Sequence, residues 1–91
     1  FFRYVTESAF GMLWSRPALA IRDRSLVTVA QLAALGRSEE LRAHLAGALN
    51  VGISREELIE VLMQTAVYAG VPVANEALRV AVDVLGEQSG A

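Results

Sequence analysis

The sequence predicts an all-α fold, a small bundle of about five helices that assembles with copies of itself. Three observations carry this. Apolar residues recur at helical spacing along most of the chain, and no alternating β-branched run is bounded by turn residues as a strand would be. The breaks fall at Pro17, Gly36, Gly52, Gly70 and Gly86, which leaves segments of helix length joined by short turns. Finally, 54% of the 91 residues are hydrophobic and the mean hydropathy is +0.40, more apolar surface than a small solitary globule needs for its core. No window of about 18 uncharged apolar residues exists to cross a bilayer. The surplus therefore reads as subunit interface, and a homo-oligomer is the expectation.

Each element has its own signal. Residues 2–15 read as a first helix that Pro17 ends, because the residue before proline disfavours helical angles. A second helix runs from about Asp23, a candidate N-cap, to Leu35, with Gly36 as its stop. After Ser25 it is apolar nearly all round, which predicts the buried central helix. Ser38 is placed to cap a third helix reaching about Asn50. In "SREE", Ser54 and Glu57 stand three residues apart, the spacing of a capping box that opens a fourth helix ending at Gly70. Pro72 opens a fifth, which fades by Gly86 into the polar tail "EQSGA". At this length residues 1–91 form one domain.

Composition removes several chemistries. There is no cysteine, hence no disulfide, thiolate metal site or thiol redox step. One histidine makes a protein-built zinc site an unfavourable reading, and no metal is expected. A net charge of -2 suits neither phosphate backbones nor non-specific nucleic-acid binding. The "GISREELIEVL" segment looks like the start of a recognition helix, but Glu56, Glu57 and Glu60 against Arg55 give it the wrong sign for that partner. All eight basic residues are arginine, so a cationic anchor would be a planar fork suited to carboxylates, and lysine Schiff-base chemistry is excluded. The opening "FFRYVTESAF" has no signal-peptide pattern. We expect a further segment to precede Phe1 and a cytoplasmic location by default.

His44 is the single histidine. On its helix Leu41, Leu45, Ala48 and Leu49 make one apolar stripe, and His44 lies roughly 80° from the centre of that stripe. That puts it on the flank, beside Glu40 and Arg37. Glu40, four residues earlier, shares its face and can accept a ring N–H. From spacing alone, a lone histidine of this kind is most often an ordinary packing or interface residue. Arg16, Arg22 and Arg24 cluster between the first two helices, either as a solvated turn or as a site for a doubly charged carboxylate. Trp14 and Tyr68 are more often core or interface aromatics than ligand stackers. No Gly-rich phosphate loop and no nucleophile elbow are present.

The pieces "WSRP", "RSLVTVAQLAALGR", "EL" followed by His44, "GALNVG", "SREELIEVL" and "VYAGVP" together resemble the carboxymuconolactone decarboxylase family over residues 9 to about 85. The peroxidase branch of that family works through a Cys-x-x-Cys pair shortly before the histidine. Residues 37–40 here hold no cysteine, so that branch is excluded. The resemblance to the remaining, decarboxylase-like branch implies an all-helical, cofactor-free carboxy-lyase that forms ring-like homo-oligomers, trimers or hexamers. It would act in aromatic catabolism, turning 4-carboxymuconolactone, a dicarboxylate lactone, into 3-oxoadipate enol lactone and CO2. By the same resemblance His44 would donate a proton with Glu40 orienting it. Arg24 and Arg16 would hold carboxylates, Trp14 and Tyr68 would line the substrate site, and Arg37 would serve the oxyanion or only balance Glu40. One position departs from the family pattern: Met12 in "GMLW" stands where an acid is expected. That departure keeps open a different unsaturated acid or lactone as substrate. A non-catalytic helical assembly module is the other alternative.

Overall fold

The computed structural model describes residues 1–86, and all of its regular structure is helical. Helix α1 covers residues 2–14, with α-helical turns at Phe2–Val5 and Gly11–Trp14 around a wider π-helical stretch, Thr6–Phe10. Helices α2 (Ile21–Leu35), α3 (Ser38–Asn50), α4 (Arg55–Ala69) and α5 (Val71–Leu85) follow. Helix α2 packs on α3, α4 and α5, and α5 packs on α2, α3 and α4, so α2 and α5 form the central pair. Among the described residues no helix is long and apolar enough to cross a membrane.

The turns are built by local chemistry. Gly36 takes φ 73°, and the Arg37 N–H then reaches back to the Leu32 carbonyl at 3.0 Å. This closes α2 in the left-handed stop that favours glycine. Gly52 does the same for α3 at φ 93°, with the Ile53 N–H on the Ala48 carbonyl at 3.1 Å and the Ile53 side chain in the core. At the start of α4 the predicted capping box is complete: Glu57 N–H donates to Ser54 Oγ (3.0 Å), and Ser54 N–H donates to the Glu57 carboxylate (2.9 Å).

Two expected caps differ. Helix α2 starts at Ile21 behind an extended Ala20, so Asp23 lies inside the first turn, where its charge faces the helix dipole rather than capping a backbone N–H. Ser38 is the first residue of α3, not its cap. The chain leaves Gly36 so tightly that Arg37 occupies the capping position, and the Ser38 hydroxyl instead reaches Glu76 of α5 at 3.4 Å.

The core comprises Val29 and Ala33 of α2, Leu41, Leu45 and Ala48 of α3, Ile53, Leu58 and Leu62, and Ala77, Val80, Ala81 and Leu85 of α5. Helix α2 is central in its contacts but not buried all round. It buries Ser25, Val29 and Ala33, while Leu35 stays 68% exposed. Its neighbours within the chain cover only one stripe, and the remaining apolar surface stays open. Helix α1 is looser still, with Phe2, Tyr4, Phe10 and Met12 all exposed.

Arg22 of α2 forms an ion pair with Glu57 of α4, tying two helix starts together. The Ser54 backbone N–H, and after it the Arg22 guanidinium, hold the Glu57 carboxyl below the usual carboxylate range. With the folded pKa depressed, the stabilisation is fully present above the ordinary carboxylate pKa and is lost as pH falls through the lower, folded value. Glu57→Gln keeps an N3 acceptor for the box but cannot ionise. In urea unfolding from about pH 7 to about pH 3, the wild type should lose its advantage over Glu57→Gln on the acid side. A gap that stays constant across that range would show that ionisation of Glu57 contributes nothing to folding.

Candidate active site

The C-terminal turn of α1 lies over the seam between α2 and α3 and roofs two hollows there. One, of about 580 Å³, is bounded by Ile21 and Ser25 of α2 and by Gly47, Ala48 and Val51 at the end of α3. The other, of about 720 Å³, has Thr28, Gln31 and Leu32 of α2 on one wall and Glu40 of α3 on the other. Phe10, Trp14 and His44 line both, so these three side chains stand at the partition. A smaller hollow of about 160 Å³ continues along α2 and brings in Arg24, sharing Leu13, Trp14, Thr28 and Gln31 with the larger one.

His44 is more open than its flank position predicts: it is an exposed residue that faces the space under α1 rather than a half-buried one. Glu40, one turn earlier, lines the same hollow, and no hydrogen bond joins the two side chains among the described residues. Arg24 is partly buried, and its Nη2 donates to the Arg16 carbonyl at 3.1 Å, which fastens the turn after α1 to α2. Its Nε is buried with no partner among the described residues.

The sequence-predicted residues thus divide into groups. His44, Glu40 and Trp14 meet in one hollow, and Arg24, with the Arg16 backbone bound to it, adjoins them through Trp14. Arg37 lies elsewhere, in a narrow crevice with Glu76 where the α2–α3 turn meets α5. Tyr68 is 84% exposed on α4 and borders a separate apolar hollow of about 400 Å³ between α2 and α4. Arg22 is taken up by Glu57. Met12 is 70% exposed and lines none of the three hollows under α1.

Sequence reasoning missed Phe10, Thr28 and Gln31. A signal for the last two existed: after Ser25 they are the only polar residues of α2, and they follow Arg24 by four and seven residues, which puts all three on one face. Among the described residues no group of three or more His, Cys, Asp or Glu side chains is placed to hold a metal ion.

The model of the carboxymuconolactone decarboxylase family matches residues 1–83. The chain belongs to that family. Among curated proteins it is 44% identical over 84 residues to 4-carboxymuconolactone decarboxylase of Acinetobacter baylyi, covering 92% of this chain and 63% of that protein. It is 38% identical over 74 residues to nitrosuccinic acid decarboxylase of Metarhizium robertsii, covering 81% of this chain and 52% of the relative. An uncharacterised 15.0 kDa protein of Paracoccus denitrificans is 30% identical over 84 residues, covering 90% of this chain and 63% of its own length. The chain therefore spans between about half and two thirds of the relatives it matches. Family membership agrees with the all-helical fold that the sequence predicts.

Proposed function

We propose that this chain carries the catalytic core of a cofactor-independent carboxy-lyase that converts 4-carboxymuconolactone to 3-oxoadipate enol lactone and CO2. The observation that carries the reading is the hollow itself. It offers an exposed imidazole and a carboxylate on α3, aromatic walls from α1, and an arginine with an unpartnered buried Nε at its end. Similarity to a 4-carboxymuconolactone decarboxylase supports the choice of substrate. A non-catalytic module would be favoured by a histidine packed among apolar groups, whereas His44 faces open space.

The chemistry suits those residues. When the bond between the γ-carbon and its carboxylate breaks, the electron pair moves through the ring double bond into the lactone carbonyl, and CO2 leaves. A proton then returns to the α-carbon. The substrate is its own electron sink, so the chain must anchor carboxylates, stabilise the oxyanion and supply the proton. Arg24 anchors a carboxylate, held in place by the Arg16 backbone carbonyl, while the Arg16 side chain lines none of the hollows. His44 supplies the proton, and Glu40 orients the ring once substrate is bound. Arg37 and Tyr68 would join this site only from another subunit. A second reading, decarboxylation of another acid with a built-in electron sink, is supported by Met12 at the expected acid position and by the similarity to nitrosuccinic acid decarboxylase.

We also infer a homo-oligomer, a trimer or hexamer, because Val67, Tyr68 and Val71 near the end of α4 and Val82 on α5 are all at least 60% exposed. The expected result of light scattering on the purified protein is a mass three or six times that of the chain; a monomer at micromolar concentration would overturn the inference.

With 4-carboxymuconolactone generated in situ, the protein should consume it with matching CO2 release. His44→Gln should lower turnover by about 10²- to 10⁴-fold. Full turnover by that variant would remove the imidazole as proton donor, and none by folded wild type would move the search to another substrate. Arg24→Met keeps the apolar stem without the fork and should raise KM at least about tenfold, the loss expected for one charged hydrogen bond. An unchanged KM would assign the carboxylate to a different anchor.

A further inference from the structure

The proposed reaction needs a donor for the lactone carbonyl oxygen, where negative charge collects as CO2 leaves. In this chain Arg37 lies in a different crevice, which leaves the polar side chains of the hollow itself as the candidates for that donor. Leu32, Ala34, Leu35, Leu13, Phe10 and the indole of Trp14 make most of its wall. Against them stand four polar side chains, His44 and Glu40 on α3 and Thr28 and Gln31 on α2. Ionised Glu40 accepts only, and His44 is already assigned the proton.

We propose that Thr28 and Gln31 form the oxyanion-binding pair of this site, donating from the threonine hydroxyl and the glutamine amide to the carbonyl oxygen of a five-membered lactone ring. The inference rests on the decarboxylase reading above and assigns the part of the reaction which that reading leaves without a residue.

Three observations support it. Both side chains line the larger hollow and the smaller one containing Arg24, so they bridge the carboxylate anchor and the proton donor. Along α2, Thr28 and Gln31 lie about 6 Å and about 10.5 Å from Arg24, at 1.5 Å rise per residue, which is the scale of a lactone ring carrying a carboxymethyl arm. The Thr28 hydroxyl is also uncommitted. Ser8, Ser15 and Thr65 each donate to the carbonyl four residues back, at 2.6, 2.6 and 2.9 Å, whereas Thr28 and Gln31 have no side-chain partner among the described residues.

The geometry also fits the bond order of the substrate. The α-carbon that receives the proton is bonded directly to the carbonyl carbon. An acid on α3 and a donor pair on α2, facing one another across a single hollow, can therefore serve adjacent atoms at once. Neutral donors suit the position: they stabilise developing charge without attracting the substrate's carboxylates away from Arg24, as a further cation would.

The test separates this assignment from the choice of substrate. Two ligands are titrated against the purified protein with Trp14 fluorescence as the readout: 5-oxo-2,5-dihydrofuran-2-acetate, a lactone with no carboxylate on the γ-carbon to lose, and 2,5-dihydrofuran-2-acetate, which lacks the carbonyl. Wild type should prefer the lactone by about fivefold. Thr28→Val and Gln31→Met, each close in shape but without a donor, should bring that ratio towards one while leaving dihydrofuran affinity and thermal midpoint in place. In turnover of 4-carboxymuconolactone, Gln31→Met should lower kcat by about a hundredfold with a smaller change in KM. Lost ligand preference in the variants of a wild type that turns over nothing would uphold the pair and reject the substrate. Undiminished turnover by both variants would reject the pair and keep the decarboxylase reading. Equal affinity of wild type for the two ligands, or no binding of either, would also overturn the pair.

Discussion

The structure depends on the way α2 divides its surface. The stripe Ser25, Val29 and Ala33 enters the shared core beside Leu41 and Leu45 of α3, and this packing fixes the rotation of α2 about its axis. Once that rotation is set, Arg24 and Thr28, each one residue before a buried one, must stand about 100° round the helix from that buried neighbour. That direction is the wall of the hollow under α1. Core packing and site geometry are therefore one constraint: turning α2 enough to bury Thr28 would withdraw Val29.

The helices and their stops were legible because their causes are local. Gly36 and Gly52 end helices by their own backbone angles, and Ser54 with Glu57 makes a box within four residues. The pairing of His44 and Glu40 on one wall was legible for the same reason, since a separation of four residues fixes a shared face. Helix starts were less so. The extended Ala20 and the tight passage through Arg37 are set by how the turns fit between packed helices, and Asp23 and Ser38 carried the right chemistry at the wrong offset. The roof made by Phe10 and Trp14 could not be read from spacing at all, because it brings them over His44, thirty and more positions away. Thr28 and Gln31 were overlooked for a different reason: in a helix judged by its apolar content, two polar residues look like interruptions until their common face with Arg24 is noticed.

The two sides of the hollow differ in how firmly they are held. Helices α2 and α3 present their site residues beside fully buried neighbours, Val29 for Thr28 and Leu45 for His44. Among its described side chains helix α1 has no such anchor. It includes a π-helical stretch just before Gly11, leaves Phe2, Tyr4 and Phe10 exposed, and is followed by a turn that Arg24 fastens through the Arg16 carbonyl. Local opening concentrates in segments with few buried contacts. A rigid floor with a less anchored roof suits a small ligand that must enter, lose its water and leave again.

In the proposed reaction the labour is divided between helices. Helix α3 supplies the proton and its orienting carboxylate, and α2 supplies the anchors for negative charge. The proton-transfer wall needs only an imidazole and a carbon that carries transient electron density, whatever group had accepted the pair. The α2 wall must match the distance between a carboxylate and the electron-accepting group, so substitutions at Arg24, Thr28 and Gln31 would change which acid fits while leaving His44 in service. On this arrangement the lone histidine and the polar face of α2 answer separate questions. In the proposed reaction His44 would quench the carbanion, and α2 would select which carbanion is formed.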